Sequence, residues 1–245
     1  MNRCLALLLA VSLFSLSARA EKPAPGKQVE LSFKTPAGLT IPYLLYLPKN
    51  LDPEAARKWP VILFLHGRGE SRGPLKIVAK WGPPRMAARG DDLPYLVISP
   101  QCPADSRWNA DNQQKGLLDL LDHLGANYPV DQSRLYLTGL SMGGYGSWKL
   151  AVEHGKRFAA AAIICGAGNP ADAGKLVDLP IWVFHGTEDR VVPYKNSAEM
   201  VEAIEKAGGK KIRFTTFKGV GHNSWSAAYA TPELYQWFDR HKRSD

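Results

Sequence analysis

Cysteine is scarce in this chain. Three occur in 245 residues, and one of them, Cys4, falls in a leader-like stretch at the N-terminus. Cys102 and Cys165 remain, each at the end of a different expected strand, and they read as two separate thiols rather than a disulfide. Long apolar runs are also missing: residues 5–16 form a run too short to span a bilayer. Dense basic runs are absent beyond Lys210-Lys211 and His241-Lys242-Arg243. A net charge of +8 therefore reads as a basic solvated surface, with no nucleic-acid partner expected. No internal repeat, low-complexity tract or second domain is visible.

The first twenty residues have the form of a secretory signal. Arg3 supplies the positive start, residues 5–16 the apolar stretch, and Ala18-Arg19-Ala20 a small-x-small cleavage site. Cleavage after Ala20 removes two arginines and no acid, taking the net charge from +8 to about +6. The expected mature protein, residues 21–245, is one catalytic domain, periplasmic or secreted, without stable membrane insertion after cleavage. Its apolar content of 45% suits a sizeable core.

The chain then alternates strand and helix signals. Strands are expected at residues 29–33, 41–48, 61–65, 95–99, 135–138, 159–165, 181–184 and 212–217. Residues 61–65 are wholly apolar, as in a strand buried on both faces of a parallel sheet. Leu117, Leu120, Leu121 and Leu124 make one buried helix face, with Asp111 as its cap and Gln114 reaching back in a capping box. Helices are further expected over residues 75–88 (interrupted at Pro83-Pro84), 142–154, 194–207 and from 232. This alternation predicts an α/β fold with a mostly parallel eight-stranded sheet and helices on both faces. Right-handed crossovers place the strands' carboxyl ends on one edge, where ligands bind.

The loops on that edge carry the chemistry. Gly139-Leu140-Ser141-Met142-Gly143 follows a strand and opens a helix, the setting of a serine held at a sharp turn. A serine hydroxyl needs a base to take its proton, and His222, after the last strand, is the candidate. The imidazole in turn needs a carboxylate, for which Asp189 is chosen over Glu188. The order Ser141, Asp189, His222 along the chain is the one expected of an α/β-hydrolase. His66 and His185 directly precede glycines and are expected to brace turns. A developing oxyanion needs two donors; these are expected to be the backbone N–H groups of Met142 and Arg68, with Gly69 as competitor to the latter. Trp108 and Trp225, in loops on the active edge, are candidates for stacking on substrate, against a packing role. No metal or cofactor is expected.

Tyr43-Leu44-Leu45-Tyr46-Leu47-Pro48, Phe64-Leu65-His66-Gly67-Arg68-Gly69-Glu70, Pro100-Gln101-Cys102, Gly139-Leu140-Ser141-Met142-Gly143-Gly144 and His185-Gly186-Thr187-Glu188-Asp189 together resemble the α/β-hydrolase superfamily. More narrowly, they are similar to secreted esterases of the polyhydroxybutyrate-depolymerase and feruloyl-esterase type, and to the catalytic domains of prolyl-oligopeptidase-like peptidases. The resemblance implies a serine carboxylic ester hydrolase acting on small or polymeric esters. A serine peptidase or amidase, and a non-catalytic polymer-binding domain, are the alternatives. The segment between Cys165 and Ile181 is too short for a helical lid.

Overall fold

The computed structural model describes residues 23–52 and 55–243. The expected signal segment, residues 1–20, lies outside them. Among the described residues there is one eight-stranded sheet. Its strands are β1 (Gln28–Lys34), β2 (Thr40–Tyr46), β3 (Trp59–Leu65), β4 (Leu96–Pro100), β5 (Val130–Leu140), β6 (Ala160–Ile164), β7 (Ile181–Gly186) and β8 (Ile212–Phe217). The order is β1-β2-β4-β3-β5-β6-β7-β8. β2 is antiparallel to β1 and β4, and the other neighbours are parallel. The helices are α1 (Gly82–Ala88), α2 (Asp111–Asn127), α3 (Met142–His154), α4 (Tyr194–Lys206), α5 (Trp225–Tyr229) and α6 (Pro232–Asp239).

Side chains alternate across a strand, so each central strand feeds two cores. Val61, Leu63 and Leu65 of β3 join Leu135 and Leu137 of β5 under α2, α3 and α4. Ile62, Phe64 and Tyr136 face the other way, under α1, α5 and α6. The edge strand β1 turns alternate residues, among them Glu30, Ser32 and Lys34, out to solvent, and β8 is half-buried on both faces, Ile212 and Phe214 against one core and Phe217 against the other. Leu117, Leu120, Leu121 and Leu124 do form the buried stripe of α2.

Three local expectations change. The N-cap of α2 is Ala110, with no side-chain cap. Gln114 instead donates to the carbonyls of Trp108 and Gly146, because two buried acceptors lie within its reach. Pro83 and Pro84 begin α1 rather than interrupt a helix; in a first turn proline's missing N–H costs nothing. The break falls at extended Trp81, after a 3-10 turn at Leu75–Lys80. The short connection between β6 and β7 is a 3-10 turn, Pro170–Leu176, with Ala173 and Leu176 buried in the core below α3 and α4. It packs onto the body and forms no lid.

Candidate active site

Ser141 sits between β5 and α3 with φ 51° and ψ −115°. A non-glycine residue in that region is strained, and such strain persists only where the surroundings impose it. Here they do. The Ser141 N–H donates to Ile164 O at 3.0 Å, and α3 is pressed so hard onto the sheet that a Cβ at Gly143 would run into Leu65 O. A Cβ at Gly139 would likewise strike Gly143 O. The glycines of the motif are thus required by close backbone approach, and the turn they permit lifts Ser141 to the surface of the edge.

His222 follows β8 and reaches across to it. Its Nε2 lies 2.9 Å from Ser141 Oγ, and its Nδ1 lies 2.7 Å from Asp189 Oδ2. A carboxylate only accepts, so Nδ1 carries the proton and Nε2 is left to accept from the serine hydroxyl. Asp189 is the chosen acid in the loop after β7; its side chain is fully enclosed. Burial by itself would raise its carboxyl, but the hydrogen bond from His222 and the N–H groups of Val192 and Val191 outweigh it and hold the group below the usual range. Glu188 is exposed.

The Arg68 N–H opens the 3-10 turn Arg68–Ser71 after β3, and the Met142 N–H opens α3. The first N–H groups of a helical turn have no partner within it. The two residues meet across the gap, with Arg68 Nη1 3.9 Å from Met142 Sδ. The Arg68 guanidinium donates to Ala104 O and Ser106 O, both at 2.6 Å. It therefore straps the loop after β4 to the loop after β3, a role that residue type alone did not disclose.

Two tryptophans part company. Trp108 is fully buried, with its indole N–H donating to His66 O at 3.0 Å and its Cβ filling the space that Gly146 leaves open. It cannot stack on a substrate, and its candidacy is withdrawn: an apolar ring with one satisfied N–H is worth more as packing between the β3 loop and α3. Trp225 remains beside the imidazole, edge-on to His222 with centroids 5.1 Å apart. With Trp81, Arg85, Met86, Tyr229 and Tyr235 it also lines a cavity of about 640 Å³.

His66 and His185 brace turns, as expected. His66 is buried; its Nδ1–H donates to Gly67 O at 2.6 Å and its Nε2 accepts from Cys102 N–H at 3.0 Å. Burial pushes its titration down to about 4, with the Gly67 carbonyl opposing. His185 does more than brace. Its Nε2 lies 3.1 Å from Asp189 Oδ2, a contact whose one sequence signal is the i, i+4 spacing of the two residues.

Among the described residues, the donor atoms of Cys165, Asp189 and His222 lie within 4.8 Å of one another. They make a poor cation site. Asp189 already accepts from N–H groups on both oxygens. Burial raises the Cys165 thiol to about 12, which disfavours the thiolate that a metal takes. Cys102 and Cys165 are both free and buried.

The sequence matches the profile of the dienelactone hydrolase family over residues 104–232, more than half its length. The chain belongs to that family. It is similar to a bifunctional acetylxylan esterase/xylanase from Neocallimastix patriciarum, 27% identical over 62% of this chain and 22% of that one. A probable feruloyl esterase C from Aspergillus niger is 25% identical over 89% of this chain and 80% of its own. The crystal structure of a thermostable esterase superposes with a TM-score of 0.78 at 33% identity, covering 89% of this chain and 64% of that one. This member of the family thus spans about a fifth of the first relative and under two thirds of the esterase. The α/β-hydrolase fold expected from the motifs is the fold observed, and the esterase resemblance holds across these relatives.

Proposed function

We propose that this chain is a metal-independent serine carboxylic ester hydrolase working through an acyl-enzyme on Ser141. The observation that carries the reading is the unbroken hydrogen-bonded line from Ser141 Oγ through His222 to Asp189. In the first half-reaction Ser141 Oγ bonds to the ester carbonyl carbon while its proton passes to His222 Nε2. The oxygen that gains charge is received by the Met142 and Arg68 N–H groups. Collapse breaks the carbon–alkoxy bond, the alcohol leaves with the proton from Nε2, and acyl-Ser141 remains. Water then attacks with His222 as base, and the carboxylic acid departs as the serine recovers its proton. Asp189 keeps the imidazole in the Nδ1–H tautomer and stabilises the cation formed at each step.

Names among the relatives, a feruloyl esterase and an acetylxylan esterase, support ester substrates. The lidless edge supports bulky or polymeric ones, and Trp225 beside His222 is the candidate to pack against them. Activity on a soluble short-chain ester should accordingly rise smoothly through the substrate's solubility limit, without an interfacial jump.

The test is labelling by a fluorophosphonate together with hydrolysis of matched p-nitrophenyl ester and peptide anilide substrates. Ser141→Ala should lose the label and about 10⁴-fold or more in kcat while melting as the parent does. An unlabelled, folded parent would overturn the reading, and anilide turnover at comparable efficiency would move it to the peptidase class. Export is proposed from residues 1–20, and N-terminal sequencing of secreted material should begin at Glu21. Among the described residues no helix is long and apolar enough to cross a membrane.

A further inference from the structure

His185 and the Asp189 side chain are both fully excluded from solvent. His185 Nε2 faces two groups that only accept, Val192 O at 2.9 Å and Asp189 Oδ2 at 3.1 Å. A bare nitrogen lone pair between two oxygen acceptors would be repelled by both, so Nε2 carries a hydrogen. On the other side of the ring, Nδ1 lies 2.7 Å from Ser197 Oγ, which can also reach Gly166 O at 3.2 Å. Through Ser197, α4 thereby fixes the ring's orientation.

Asp189 then has a closed set of donors. Oδ1 accepts from the N–H groups of Val191 and Val192, each at 2.9 Å. Oδ2 accepts from His222 Nδ1–H and from His185 Nε2–H. The carboxylate cannot rotate without losing a bond on each oxygen. A second donor on Oδ2 also draws off part of the negative charge that His222 meets.

We infer that His185 is a positioning residue of this site: through its Nε2–H it locks the Asp189 carboxylate and sets the charge that Oδ2 presents to His222. The inference rests on the serine-hydrolase reading above. The other groups facing His185 are Tyr194 at the start of α4, edge-on at 5.9 Å between ring centroids, and Cys165 at the end of β6, which joins the cluster through Asp189 and His222. Cys165 stays a neutral thiol through the working range, since burial raises it to about 12. Asp189 is therefore the one anion in contact with the ring among these groups.

The experiment compares His185→Leu and His185→Gln with the parent by kcat, KM, melting temperature and the pH profile of kcat/KM on a soluble p-nitrophenyl ester. Glutamine offers an N–H toward Asp189 and Val192 and an oxygen toward Ser197, so it should keep the parent's acid limb and lie within about threefold in kcat. Leucine should lower kcat by about 10- to 100-fold at nearly unchanged KM, and should move the acid limb up by about half a pH unit, because Oδ2 then turns its full charge on His222. A folded leucine variant with the parent's kcat and acid limb overturns the inference, as does a lower melting temperature with an unmoved profile. Imidazole ¹⁵N spectra of the parent decide the matter if the leucine variant fails to fold: hydrogen on His185 Nε2 is expected, and a bare Nε2 overturns it. Fluorophosphonate labelling of the parent separates the two failures, since a labelled parent with indifferent His185 variants refutes only the role of His185.

Discussion

The two sides of the site are held by different means. On the Ser141 side, backbone meets backbone: the first turn of α3 lies against the ends of β3 and β5 with no room for a methyl group at Gly143 or Gly139. On the imidazole side, the loop that carries His222 hangs from hydrogen bonds to its neighbour, such as Glu188 N–H to Val220 O at 2.9 Å. A Cβ at Gly221 would meet nothing nearer than Glu188 O at 3.8 Å. The serine is thus placed by close packing on both flanking glycines. The loop of the histidine is placed by hydrogen bonds and by close backbone approach at Gly186, whose Cβ would run into Val220 O, while Gly221 beside His222 has room.

The largest break in that contrast should come from Gly143→Ala. Its methyl group would collide with the Leu65 carbonyl, a backbone atom that cannot swing aside. We expect a loss of about 4 kcal/mol or more, read by denaturant melts or as failure to recover folded protein. Gly221→Ala should stay within about 0.5 kcal/mol of the parent. Equal losses at the two positions would dissolve the distinction.

The two tryptophans sharpen it next. Trp108→Ala empties a fully buried site and should cost about 3–5 kcal/mol of stability. Trp225→Ala should cost much less stability and instead raise KM for bulky esters about three- to tenfold, on the proposal that it packs against substrate. Kinetics and chemical denaturation on both variants check the split.

A third effect is one of pH. His66 is held neutral to about 4 in the folded protein, against 6.5 in the open chain. Between those values the unfolded state binds a proton that the native state refuses, so stability should be complete above pH 6.5 and fall as pH drops toward 4. The loss should reach about 3 kcal/mol. His66→Gln, whose side-chain oxygen can still accept from Cys102 N–H, should flatten that slope in melts taken from pH 7 to 4. Asp189 adds a smaller effect of the same sign lower down: its depressed carboxyl stabilises the fold above the ordinary carboxylate range and ceases to do so as pH falls through its folded value. Gly186→Ala probes the point where the hanging loop does touch backbone. A Cβ there would run into Val220 O and Gly221 O, so it should cost about 3 kcal/mol or more of stability as well as displacing His222, read by melts and by kcat.

Much of this was legible beforehand, for identifiable reasons. Strand periodicity in residues 61–65 and 181–184 and the glycine-bounded Ser141 are local signals, and a crossover rule converts them into a shared edge. Asp189 could be chosen over Glu188, and the strap-like segment before Ile181 was too short to hide the site. Substrate stacking and packing stayed open alternatives for Trp108 because a loop residue and a buried one look alike until the neighbouring helix is placed, and burial decides for packing. Gln114 was misassigned because its buried acceptors, Trp108 O and Gly146 O, come from elsewhere in the chain. The Arg68 grip on Ala104 O and Ser106 O, and the His185 bond to Asp189 within a folded-back turn, left no distinctive pattern.

Order along the chain was enough to determine which strands would exist, on which edge their loops would gather, and which serine, carboxylate and imidazole would meet there, because those follow from side-chain periodicity, from glycine where backbones must touch, and from the handedness of connections. Tertiary structure alone decided which groups share a hydrogen. Whether a tryptophan faces substrate or core, and whether a second imidazole leans on the same carboxylate oxygen, depends on contacts of about 3 Å between residues brought together only when the loops close, and sequence spacing carries no measure of those distances.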